Sequence, residues 1–174
     1  MRPILATLIT AALLWAATFS ATGGTVSVYR IETVAGSADP GDGGLAIAAQ
    51  LGAIQGIAVD RSGNLYLSDT DHHRIRKVTP GDAISTLAGT GVAGYSGDGG
   101  LAAKAQLNLP YGLAVDGSGK VYVADVGNDC VRRISPDGTI TTIAGTGDKG
   151  SAGDGVPATN AQLLTPRNLA LDSA

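Results

Sequence analysis

The feature that most constrains this chain is a repeat that returns every 56 residues. Gly41-Asp42-Gly43 recurs as Gly97-Asp98-Gly99 and as Gly153-Asp154-Gly155. Ala49-Gln50-Leu51 recurs at the same step as Ala105-Gln106-Leu107 and Ala161-Gln162-Leu163. Asp60, Asp116 and Asp172 keep the spacing, and so do Asp69 and Asp125. Separate landmarks that hold one step define an array of like units, each stacked on its neighbours to bury its apolar faces.

One period reads as four short strands. Gly112 to Asp116 is the first, and Gly117-Ser118-Gly119 turns it back. Val121 to Ala124 is an unbroken apolar run, as a strand buried on both faces requires. Cys130 to Ile134 follows, and Pro136-Asp137-Gly138 is a hairpin signal before Ile140 to Ala144. The preceding copy matches over Gly56 to Asp60, Leu65 to Ser68, Arg74 to Val78 and Ile84 to Ala88. With 26 glycines in 174 residues the chain is rich in turns, and a repeated four-stranded antiparallel unit is a β-propeller blade. The expected fold is all-β, an incomplete β-propeller with blades at 56–89 and 112–145. Leu101 to Leu107 carries helix formers with Leu101 and Ala105 four apart, so a short helix is expected in each inter-blade loop, with Asp98 as its cap. Pro157, in the third copy, suits a first helical turn.

The ends of the array are unequal. Ile31 to Gly36 matches only a fourth strand (orphan strand 29–36), and Asn168 to Asp172 only a first (orphan strand 168–172). A closed propeller needs about four to eight blades. Residues 25–174 therefore read as about half of a six-bladed ring, cut short at the C-terminus, with missing blades expected to complete it. A ring assembled from several short chains is the rival arrangement. Ahead of the array, Met1-Arg2 followed by the apolar run Ile4 to Ala17 and the small residues up to Gly24 form a secretory signal pattern over 1–23. An exported protein is expected, secreted to an extracellular or periplasmic space, with no membrane span beyond the signal sequence; an uncleaved anchor is the alternative.

Charge and motif inventory narrow the chemistry. A net charge of −3 argues against a nucleic-acid partner, and one cysteine excludes an internal disulfide framework or a cysteine zinc cluster. No nucleophile elbow, phosphate loop or Ser/His/Asp arrangement is visible, so no catalytic residue and no cofactor is expected. His72 and His73 are adjacent and would point to opposite sides of a strand, unable to chelate one ion together. The repeated aspartates lack an Asp-x-Asp-x-Asp ladder, so turn and cap roles are expected for them, with no metal site. Asp60, Asp116 and Asp172 are expected to cap the turn after strand one. Cys130 is expected to be a buried inert thiol, the alternative being a pair with a cysteine outside this chain.

The segment Ser68-Asp69-Thr70-Asp71-His72-His73-Arg74-Ile75-Arg76-Lys77-Val78 and its counterpart Ala124 to Ile134 resemble NHL repeats, as does Leu109 to Asp116 upstream. The long glycine-rich loops are similar to those of bacterial secreted NHL proteins and of teneurins. The resemblance implies a propeller that binds partners without catalysis; a propeller lyase with metal at the central channel, or a sensor ectodomain, is the alternative it leaves open. The copies differ where Arg74 faces Cys130 across one step. If Arg74 bridges to Asp69 or Asp125, the second copy lacks that contact. The link between strands two and three and the link to the next blade emerge on one side. That face, carrying Asp71, His72, Tyr95, Asp98, Lys104 and Asn128, is the expected surface for a protein or carbohydrate partner.

Overall fold

A computed structural model describes residues 41–172, so the expected signal segment (1–23) and orphan fourth strand (29–36) lie outside the described residues. Eight strands fall into two antiparallel sheets. The first orders β1 (Ile54–Val59), β2 (Leu65–Asp69), β3 (Arg74–Val78) and β4 (Ile84–Ala88) side by side. The second repeats the order with β5 (Pro110–Val115), β6 (Val121–Asp125), β7 (Cys130–Ile134) and β8 (Ile140–Ala144). These are two propeller blades, and the all-β fold expected from the repeat is the one observed.

Local chemistry explains each element. The apolar run of β2 is buried along its whole length, as expected of a strand with a layer on either face. Asp60 ends β1 by accepting the Ser62 and Asn64 backbone N–H groups, while Asp116 does the same for Ser118 and Lys120. Both tight turns are thus closed by a side chain in place of a strand partner. The first strands begin two residues earlier than the glycines suggest. Ile54 pairs with Asp69 and Pro110 with Asp125 across an irregularity in the ladder before Ile57 and Leu113.

The loop helices are shorter than expected. Each is a single 3-10 turn of three residues, at Ala46–Ala48, Ala102–Lys104 and Ala158–Asn160. Ala105 is already extended, because the carbonyls of Ala102 and Ala105 accept the N–H groups of Gly89 and Thr90 instead of continuing a helical ladder. Asp98 does not cap this turn; Leu101 holds the N-cap position without a side-chain bond. Pro157 stands at the matching N-cap of the third turn. The loop acts as a spacer: Gly99 and Gly100 bond to Ile140 on β8, then Ala102 N–H reaches Gly138 O in the β7–β8 turn.

The main core lies between the blades. Tyr66, Ile75 and Ala88 of the first blade meet Leu113, Val121, Val123, Ile134 and Ile140 of the second, with Ala102, Ala105 and Leu107 of the loop between them. At the first strands the contact is backbone against backbone. Thr70 Oγ1 donates to Pro110 O at 2.6 Å, and Ser68 Oγ donates to Tyr111 O. A Cβ on Gly56 would collide with the Tyr111 carbonyl and with Ser68 Oγ. Gly56→Ala is therefore expected to lower unfolding free energy by about 2 kcal/mol, read as an earlier urea midpoint. Gly44→Ala, whose Cβ would lie 3.3 Å from Gly41 O, a tight contact but not a collision, should cost less.

Residues 168–172 form no strand ladder among the described residues. They are led in by a repeated contact. Thr165 N–H donates to Asp129, where Leu109 N–H donates to His73 in the copy before. Gly112 N–H then bonds Arg167 O.

Candidate binding surface

The end of each second strand carries a buried carboxylate, Asp69 or Asp125, both without solvent exposure. Asp69 accepts Gly52 N–H at 2.8 Å and lies against His72 Nδ1 at 2.9 Å. Asp125 accepts Asn108 N–H at 2.7 Å and the Asn128 amide at 2.8 Å. His72 and Asn128 are one repeat step apart and orient the same carboxylate from the same side. That substitution works because a ring N–H and an amide N–H are both donors.

The basic partner of each carboxylate is not Arg74. Arg76 lies 4.0 Å from Asp69 and 2.7 Å from Asp42; Arg132 lies 3.5 Å from Asp125 and 2.6 Å from Asp98. Both guanidiniums are fully buried, so each blade is tied by an Asp–Arg–Asp clamp that joins the second strand, the third strand and the glycine-rich loop. Arg74 instead donates to Thr90 O at 3.2 Å. The exchange of Arg74 for Cys130 leaves the clamp intact in both copies, because the bridge is made by Arg76 and Arg132. The clamp had a legible signal: Arg76 and Arg132 keep the 56-residue step, as do Asp42 and Asp98 and Asp69 and Asp125.

Burial pushes Asp125 up to about 6, against the downward pull of the Asn108, Asn128 and Arg132 bonds. At Asp98 the upward push of burial is outweighed by Thr142 and Arg132, which hold it below its ordinary value. Cys130 is buried and unpaired in this chain, and burial first, then the Asp125 charge, pushes its thiol up to about 12. A thiol so hard to ionise is a poor nucleophile and metal ligand.

The six surface residues divide by position. Tyr95 sits over the Arg132 guanidinium at 4.8 Å and meets Thr142 at 2.9 Å, so it shares the clamp with Asp98. Asn128 joins the same group by donating to Gly94 O at 2.8 Å. Asp71 and His72 belong to the copy before, where Asp71 accepts Ala53 N–H at 3.0 Å. Lys104 stands apart in the exposed 3-10 turn beside the β7–β8 turn. His72 and His73 lie in a turn, not on a strand, since His73 has φ 52°. They take different partners, Asp69 and Leu109 N–H. Among the described residues no group of three or more His, Cys, Asp or Glu is arranged to hold a metal ion.

The opposite end of the blade interface holds a feature that the sequence did not single out. A crevice of about 220 Å³ opens among Asp60, Tyr66, Lys77 and Pro136. Tyr66 donates to Asp60 at 3.0 Å, and burial together with that bond pushes its hydroxyl up to about 12. Asp116, Tyr122 and Arg133 occupy the same positions one step later, which was the available signal.

Comparison with known proteins fits this architecture. The model of the teneurin NHL domain matches residues 91–152, and that of the NHL repeat matches residues 51–78. Human teneurin-4 is 40% identical over 103 residues, covering 52% of this chain. The Arabidopsis thaliana protein SUPPRESSOR OF QUENCHING 1 is 40% identical over 80 residues, covering 45%. The chain spans only 4% and 7% of those two proteins. Among solved structures, an auxiliary nutrient binding protein from Bacteroides thetaiotaomicron superposes with a TM-score of 0.55 at 22% identity, over 67% of this chain and 32% of its own. Its Bacteroides ovatus namesake gives 0.55 at 22%, over 66% and 31%. Both share the fold. With NHL family models matching residues 51–78 and 91–152 and relatives at 40% identity, the chain belongs to the NHL-repeat family.

Proposed function

We propose that the chain forms part of an exported, non-catalytic binding scaffold that meets a protein or carbohydrate partner through its loop face. The observation that carries this reading is the clamp. Two Asp–Arg–Asp groups built on buried arginines fix long loops on rigid sheets, and rigidly held loops lose little entropy on binding. Asp71, Tyr95, Asp98 and Lys104 are exposed on those loops. The apolar run at Ile4 to Ala17 supports export, and among the described residues no helix is long and apolar enough to cross a membrane.

Further blades complete the ring in this reading. Leu113 is 8% exposed against the first blade, whereas Ile57, one step earlier on the first blade, is 59% exposed. An apolar face of that kind suits a neighbouring blade.

The test is charge reversal in the full-length protein, with affinity measured for a partner recovered from a screen of exported proteins and glycans. Lys104→Glu and Asp71→Lys are expected to weaken binding about tenfold each, as rim charges do when they face a complementary surface. Arg61→Glu, in the tight β1–β2 turn, should leave it unchanged. Equal loss from both sets, or loss only at Arg61, would show that the face is wrongly assigned.

A further inference from the structure

The two blades meet at their first strands, where β1 and β5 carry the same irregularity, between Ile54 and Ile57 and between Pro110 and Leu113. A bulge in an inner strand re-aims the side chain at that point. The residues there are Gln55 and Tyr111, and the third copy places Arg167 at the same step. Around them the repeat is nearly constant: Ile57, Leu113 and Leu169; Ala58, Ala114 and Ala170; Asp60, Asp116 and Asp172. Positions that build the blade repeat, whereas this one changes from amide to phenol to guanidinium.

The three side chains form a row at the leading end of the inner strands. Gln55 and Arg167 are exposed, and Tyr111 is half-buried. The Arg167 guanidinium carbon lies over the Tyr111 ring, 5.6 Å from its centre, and Arg167 O accepts Gly112 N–H. A cation over the ring face is attracted to it, and the guanidinium keeps a fork of N–H donors suited to a planar anion. Of the acids at this end, Asp69 and Asp125 are buried in the clamps and Asp129 is buried against Thr165 N–H, while Asp71, which accepts Ala53 N–H, stays exposed. Within the row the one charge is that of Arg167, next to the Tyr111 ring, and Gln55 and Tyr111 add neutral hydrogen-bond donors.

We infer that Gln55, Tyr111 and Arg167 form a recognition row for a carboxylate carried by an acidic protein segment. Carboxylates are acceptor-only and match the guanidinium fork in two-point contact. Arginine and tyrosine are among the side chains that most often anchor protein partners. The row uses residues other than those of the loop face, so each reading stands or falls separately.

The test uses the full chain and a fluorescein-labelled hexaglutamate peptide, followed by fluorescence anisotropy at two salt concentrations. Saturable binding that weakens with salt is expected. Arg167→Glu should weaken it by about tenfold or more, as reversing an interfacial charge does. Arg167→Lys should fall between, since it keeps the charge and loses the fork. Gln55→Glu, which adds repulsion without touching Arg167, should also weaken binding. Lys120→Glu in the tight β5–β6 turn should leave it within about twofold. Circular dichroism of each variant should retain the sheet spectrum. Failure of hexaglutamate to saturate, equal binding of hexaglutamine, tighter binding of hexagalacturonate, or Arg167→Glu behaving like Lys120→Glu would each overturn the inference.

Discussion

Replacing Arg132 with alanine is expected to lower the unfolding free energy by about 3–5 kcal/mol, the cost of leaving a buried carboxylate without its cation. Arg132 and Asp125 are both fully buried, and the guanidinium also donates to Ser96 O at 3.1 Å and meets Asp98 at 2.6 Å. Its loss strips Asp125 of its charge partner and frees the glycine-rich loop at two points. Asn108 and Asn128 still donate to Asp125, so the fold should weaken without collapsing into disorder. Arg74→Ala removes one 3.2 Å bond to Thr90 O and should change stability by about 0.5 kcal/mol or less. Urea titrations of the two variants settle the comparison. A cost below about 1 kcal/mol for Arg132→Ala, or a larger one for Arg74→Ala, would mean that the blades are not held by the clamp.

The contrast between these arginines shows what the sequence makes legible. The two described blades, their strand order and the Asp60 and Asp116 turns follow from period and turn chemistry alone, because each depends on residues close in the chain. The clamp joins residues 34 apart, Arg76 to Asp42 and Arg132 to Asp98, and spacing alone does not show that they meet. Arg74 looked like the carboxylate partner because it directly opposes Asp69 across the β2–β3 ladder. Opposed residues share a pleat face, yet the guanidinium reaches only as far as the loop lets it, and Thr90 O is nearer. Asp98 fits a helix cap by sequence because it precedes apolar helix formers. Arg132 and Thr142 bind it first, and the loop backbone is then spent on β8 rather than on a helix. The candidate surface was legible as a set of loops and not as a geometry. Tyr95, Asp98 and Asn128 gather around Arg132, whereas Lys104 lies beside a different turn.

Acidification should reveal the burial of Asp125 with an unusual sign. Its folded value is about 6, above the roughly 3.9 of an unfolded aspartate. A raised folded value means that the native state binds the proton more tightly. Stability from this group is therefore fully present below about pH 4 and is lost as pH rises through about 6. At about 1.4 kcal/mol per unit, the span amounts to about 3 kcal/mol. Asp116 acts in the opposite sense. Its hydrogen bonds from Ser118, Lys120 and Tyr122 hold it down to about 2, so its stability is present above pH 4 and is lost as pH falls below that. The two windows do not overlap, and the interval from pH 4 to 6.5 reports on Asp125. Asp125→Asn removes the titration while keeping an oxygen to accept the Asn108 N–H, and whatever its absolute stability its pH dependence should flatten there. Unfolding free energies from urea titrations at half-unit steps should show the native chain losing stability relative to the variant as pH rises, by about 3 kcal/mol in all. Parallel curves for the two proteins across that interval would show that Asp125 keeps an ordinary carboxylate affinity, and that the Arg132 charge fully offsets its removal from water.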